Sequence, residues 1–92
     1  MNNMTNEQEE LESKSEIEVY IDSNLFITSV INLEEGNTAR QVIEEIKLGN
    51  YKAYTSTLTI DEVLWVVQRE KNSEVAYEAA KIIIEIPNLY FV

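Results

Sequence analysis

The chain has 92 residues, no cysteine, no histidine, one proline and a formal net charge of −10, which allows one small domain and no more. The missing cysteines exclude a disulfide framework and a thiolate metal site, and the missing histidines exclude Ser-His-Asp and Cys-His catalysis and imidazole-bound zinc. Carboxylates are the only abundant reactive groups, so any catalysis points to hard cations such as Mg²⁺ or Mn²⁺ held by oxygen ligands.

Residues 1–18 carry six glutamates against Lys14 and no aromatic side chain. Low hydrophobicity and high charge read as a disordered acidic arm. It has no apolar h-region, so it is not a signal peptide. The remaining residues, 19–92, hold eleven acids and six bases, a balance that argues against binding nucleic acid by charge alone. No apolar run reaches the ~18 residues of a membrane span, and a soluble cytoplasmic protein is expected.

Val19-Tyr20-Ile21-Asp22-Ser23-Asn24 reads as a short buried strand that delivers Asp22 to the mouth of a helix over Leu25–Ile31, with Ser23 or Asn24 as its N-cap. After Glu34-Glu35-Gly36-Asn37, Thr38 and Gln41 form a capping-box pair for a second helix. Its apolar face is Ala39, Val42, Ile43 and Ile46, and Gly49 stands at its C′ position. Tyr51–Ser56 reads as the second strand. A third helix runs from Thr59 to Glu70 with Ile60, Val63, Leu64 and Val67 on one face; Trp65 and Val66 widen that stripe, so cover on two sides is expected. Ser73 caps a fourth helix reaching Ile86, with Val75, Ala79, Ile82 and Ile86 as one stripe and Ala76, Ala80 and Ile83 as another. Pro87 stops it, and Asn88–Val92 is the last strand. The order β-α-α-β-α-α-β implies parallel pairing by right-handed crossovers and an α/β, three-layer class.

Two acidic motifs carry a resemblance. Tyr20-Ile21-Asp22-Ser23-Asn24-Leu25-Phe26 is similar to the opening strand of the PIN domain, the nuclease fold of VapC-type toxins and related RNA-processing enzymes. Residues 53–64, running from Ala53 through Thr59-Ile60-Asp61-Glu62 to Leu64, look like that family's second strand and the helix whose first turn carries an essential glutamate. The order and spacing of the two motifs fit as well, and the resemblance covers residues 19–92.

The resemblance implies a PIN-like (Rossmann-like) parallel sheet truncated after its third strand, with Asp22 and Glu62 as catalytic and metal-binding acids. Such acids bind Mg²⁺ or Mn²⁺, which activate a water for attack on an RNA phosphodiester. Ser23 and Asn24 would support Asp22 from behind. Family members carry two further acids beyond the position of Val92, so the acidic site within these residues is incomplete and efficient catalysis by them alone is not expected. The alternative is a non-catalytic, truncated PIN-like module acting through dimerisation or a partner. In the family's sheet the first strand is central; here it would be an open edge that invites a homo-oligomer, a completing chain or an antitoxin.

Blander readings stand beside these. Thr59 and Glu62 form a capping box by spacing alone, Asp22 suits a plain cap or Asx-turn, and Asp61 faces solvent at a helix start. Trp65 and Tyr54 are expected in the core rather than stacked on bases.

Overall fold

A computed structural model describes residues 17–92. Its elements are β1 (Glu18–Tyr20), α1 (Ser23–Ile31), α2 (Gly36–Lys47), β2 (Lys52–Thr55), α3 (Thr59–Glu70), α4 (Ser73–Ile84) and β3 (Leu89–Phe91). The acidic arm lies outside the described residues except for Ile17 and Glu18, and Glu18 already belongs to β1.

The three strands form one parallel sheet in the order β1-β2-β3. The class is therefore α/β with the element order read from the sequence. β2 is central, and β1 has β2 as its single neighbour among the described residues. Two crossovers of the same hand, moving in the same direction, place both helix pairs on one face of the sheet. A single core unites them. It contains Phe26 and Ile27 of α1, Ile46 of α2, Val63 and Val67 of α3, Ala76, Ala79 and Ile83 of α4, and Ala53 and Leu89 from the sheet. Fully burying a side chain such as Phe26 or Val63 contributes about 1.5–3 kcal/mol.

The opposite face of the sheet is different. Register pairs Tyr20 with Tyr54 and Tyr54 with Tyr90, so three tyrosines cross the sheet in one row. The Tyr54 and Tyr90 rings lie 5.7 Å apart, and the Tyr54 hydroxyl donates to Glu18 at 3.0 Å. Lys52 Nζ sits 5.3 Å from the centre of the Tyr90 ring. Hydrogen bonding and charge from Tyr54 hold the Lys52 ammonium above its ordinary pKa.

Several helix starts differ from the sequence reading. Asn32, not Thr38, organises the entry to α2: its side-chain oxygen accepts from the N–H groups of Glu34 and Glu35, and Thr38 falls inside the helix. Asn72, one residue before Ser73, caps α4 by accepting from Val75 N–H at 2.8 Å. At α4 the asparagine just upstream outcompetes the hydroxyl residue, as its longer polar arm reaches an orphan N–H group, whereas Asn32 closes the turn before α2, whose N-cap position, Glu35, has no side-chain cap bond. Gly49 does occupy the C′ position of α2 with φ +83°, and Asn88 donates to Ile46 C=O, tying that helix end to the start of β3.

Candidate functional site

The first candidate residue sits where β1 hands over to α1. Ile21 continues the ladder through its N–H to Tyr54 C=O at 2.7 Å, and Asp22 follows in extended conformation as the N-cap. Its Oδ2 accepts from Asn24 N–H at 3.1 Å. The cap is thus Asp22 rather than Ser23 or Asn24, because its carboxylate reaches the second helical N–H and meets the positive end of the helix.

That arrangement frees Ser23. Its side chain points inward, only 5% exposed, and its Oγ donates to Oε2 of Glu62 at 2.8 Å. The serine expected to steady Asp22 holds the other acid instead. Asn24 contributes through its backbone N–H.

Glu62 lies in the first turn of α3, and the start of that helix is fixed by two buried hydroxyls. Thr55 Oγ1 donates to Ile21 C=O at 2.8 Å and meets Thr59 Oγ1 at 2.7 Å. The Thr59–Glu62 capping box does not form: the N-cap position is Leu58, which has no side-chain cap bond. Thr59 is turned to Thr55 and Glu62 to Ser23. Asp61 is exposed in the same turn, as the spacing suggested.

Asp22, Ser23 and Glu62 therefore lie beyond the carboxyl ends of β1 and β2, at the starts of α1 and α3. In open parallel sheets, ligands bind outside the carboxyl ends of the strands where the strand order reverses; the described sheet, β1-β2-β3, has no reversal. Both acids are exposed. Among the described residues, each uses one carboxylate oxygen in a hydrogen bond and leaves the other, Oδ1 of Asp22 and Oε1 of Glu62, without a partner. An all-oxygen donor set of this size suits Mg²⁺ or Mn²⁺, which bind through one or two carboxylates with water and phosphate oxygens around them. The described residues contain no group of three or more acids that could enclose an ion.

Trp65 is not in the core. It is 69% exposed, one helical turn beyond Glu62 on α3; the helix is covered on two sides, by α1 and α4, as the width of its stripe suggested, and Trp65 lies on its open side. Tyr54 is half-buried in the tyrosine row. Sequence reasoning missed the Ser23–Glu62 bond and the Thr55–Thr59 pair. Thr55 and Thr59, four residues apart across a strand end and a helix start, were the available signal for the second. Compared with known proteins, the chain matches no family model, no curated protein and no solved structure.

Proposed function

We propose that this chain is the N-terminal part of a PIN-type domain in a three-layer sheet, and that it belongs to a Mg²⁺- or Mn²⁺-dependent endoribonuclease of the VapC toxin kind. The observation that carries the reading is the Ser23–Glu62 hydrogen bond, which draws the two acidic motifs together. Asp22 and Glu62 would hold the cation, which would supply an activated water and charge stabilisation at an RNA phosphodiester. The residues of the chain do the positioning. Ser23 fixes Oε2 of Glu62, the Asn24 N–H fixes Oδ2 of Asp22, and each acid offers its remaining oxygen. On this reading two more acids come from outside these residues, either from further chain or from a completing protein, and the site works in the cytoplasm. The test is Mn²⁺-dependent cleavage of single-stranded RNA with that complement supplied. Asp22→Asn and Glu62→Gln each abolish cleavage; activity that survives both overturns the assignment.

A second reading, a non-catalytic module that acts through a second copy or a protein partner such as an antitoxin, is favoured by one observation. Parallel sheets are ordinarily covered on both faces, yet the Tyr20–Tyr54–Tyr90 face carries no helix among the described residues, and Tyr20 and Tyr90 are exposed. Sedimentation separates the two readings: a monodisperse monomer that cleaves RNA leaves nothing for the module reading to explain.

A further inference from the structure

The open side of α3 carries one large aromatic ring in a polar setting. Trp65 is 69% exposed, and the residues one turn away from it on either side, Asp61, Glu62, Gln68 and Arg69, are all exposed. No apolar patch of α3 surrounds the ring, so a protein partner would have a single side chain to bury there. Glu62, Trp65 and Arg69 fall at i, i+3 and i+7, one stripe along the helix. The helical rise sets Trp65 about 4.5 Å and Arg69 about 10.5 Å beyond Glu62 along the axis. Among the described residues, the ion pair of Arg69 runs from Nε to Glu70 at 3.8 Å. Such an exposed pair contributes little, and both terminal nitrogens of the guanidinium are left for another anion.

The stripe thus presents a carboxylate, a flat ring and a cation in that order. A single-stranded nucleic acid presents the matching series: a phosphate for a carboxylate-held metal, a base, and the next phosphate. A chain of net charge −10 repels a bare phosphate backbone. A strand therefore gains most where stacking and one cation lie on the same line. We propose that α3 is the track of the RNA strand. Trp65 stacks on the base beside the phosphate bound at Asp22 and Glu62, and Arg69 takes the following phosphate. This inference rests on the ribonuclease reading above and adds to it the residues that hold the substrate. Stacking is indifferent to base identity, so Trp65 sets the register of the strand and not its sequence.

The test is binding without cleavage. A fluorescein-labelled single-stranded RNA hexamer is titrated with the full chain in Ca²⁺ and read by anisotropy. Trp65→Ala is expected to weaken binding about tenfold, as for a lost stacking ring, and Trp65→Phe much less. Arg69→Gln weakens it severalfold and reduces the salt slope by about 0.7, the share of one phosphate contact on a single strand. Lys81→Gln, the same charge change on α4, has no comparable effect. A hexamer of abasic nucleotides separates stacking from a structural role, because the parent chain and Trp65→Ala should bind it alike. Equal weakening of normal and abasic RNA by Trp65→Ala overturns the track, as do equal effects of Arg69→Gln and Lys81→Gln or a failure to bind RNA at all. Losses in Trp65→Ala and Arg69→Gln with no dependence on Ca²⁺ or on Asp22→Asn keep the track and sink the metal reading. The reverse pattern keeps the metal reading and sinks the track.

Discussion

Ser23 donates its hydroxyl hydrogen to Oε2 of Glu62 across 2.8 Å, joining residues 39 apart in sequence. The bond settles a competition written into the sequence. Glu62 could cap its own helix through Thr59 or turn to the start of α1, and Ser23 holds it to the second role. It also ties the first turn of α1 to the first turn of α3, so the two acids move with one frame.

Ser23→Ala and Glu62→Gln should therefore separate stability from chemistry. The alanine leaves a part-buried carboxylate oxygen without its donor, and a lost hydrogen bond to a charged group costs about 1.5–3 kcal/mol. Urea unfolding should show a loss in that range with an unchanged denaturant slope. Glutamine keeps an acceptor for Ser23 and should unfold within about 0.5 kcal/mol of the parent chain, as exposed substitutions do, while removing the carboxylate charge. If glutamine destabilises as much as alanine, the charge rather than the hydrogen bond holds the frame.

Thr55→Val is expected to be more damaging than its size suggests. Thr55 is fully buried, and its one hydroxyl hydrogen goes to Ile21 C=O, so Thr59 must be the donor in the hydroxyl pair. Valine keeps the shape and strands both partners in a water-free site, at a cost of about 1–3 kcal/mol for each unsatisfied group. Thr55→Val/Thr59→Val removes one stranded partner along with its neighbour. A double-mutant cycle should show the pair costing less than the sum of the two single changes.

How far the sequence could be read follows the range of the signals. Element order, parallel class and most of the helical stripes were legible because 3.6- and 2-residue patterns are local. The position of Gly49 at the end of α2 was legible for the same reason. Cap residues were less so: Asp22 and Asn72 each lie one or two residues upstream of the residue spacing favoured, because several polar side chains in a row can reach the same orphan N–H groups, and α2 begins without a side-chain cap. Asp22 and Glu62 could be picked out as candidates, but the role of Ser23 could not. Which of two helix starts a serine faces depends on how the strands pair, a long-range fact. Trp65 and Ile82 misled for a related reason, since an apolar stripe states what can be buried and not what covers it.

The two glycines should respond to alanine for different reasons. In mid-helix the change ordinarily stabilises by up to about 1 kcal/mol. At Gly36, however, an added Cβ meets Thr28 C=O at 2.9 Å and Arg40 Nη1 at 2.7 Å. That guanidinium is anchored on Ser29 C=O and Asn37, so neither neighbour yields freely, and Gly36→Ala should lower stability. At Gly49 the space is open, with Asn88 Nδ2 no nearer than 3.7 Å, but φ is +83°. The left-handed conformation alone should cost alanine about 1–2 kcal/mol. Gly49→Asn should recover part of that, because asparagine tolerates the conformation, whereas Gly36→Asn should be worse than Gly36→Ala. Thermal unfolding of the four variants tests both arguments, and a stabilising Gly36→Ala would mean α1 and α2 approach less closely than described.

Trp65 offers the most direct check on the exposed face of α3. It is the single tryptophan of the chain and is 69% exposed, so its fluorescence should resemble that of tryptophan in water and be quenched readily by acrylamide. Little packing is lost when it is cut back, and Trp65→Ala should change stability by no more than about 0.5 kcal/mol. Had Trp65 been packed in the core, the same change would cost about 3–5 kcal/mol and the emission would be blue-shifted and shielded. Because Trp65 lies one turn from Glu62, it also reports on the surroundings of that acid. Single-stranded RNA added with Ca²⁺ in place of Mn²⁺ should quench it if bases stack beside the acids, stacking being worth about 1–3 kcal/mol per base. Shielding of Trp65 in the free chain, dependent on concentration, would instead place this face in a self-association.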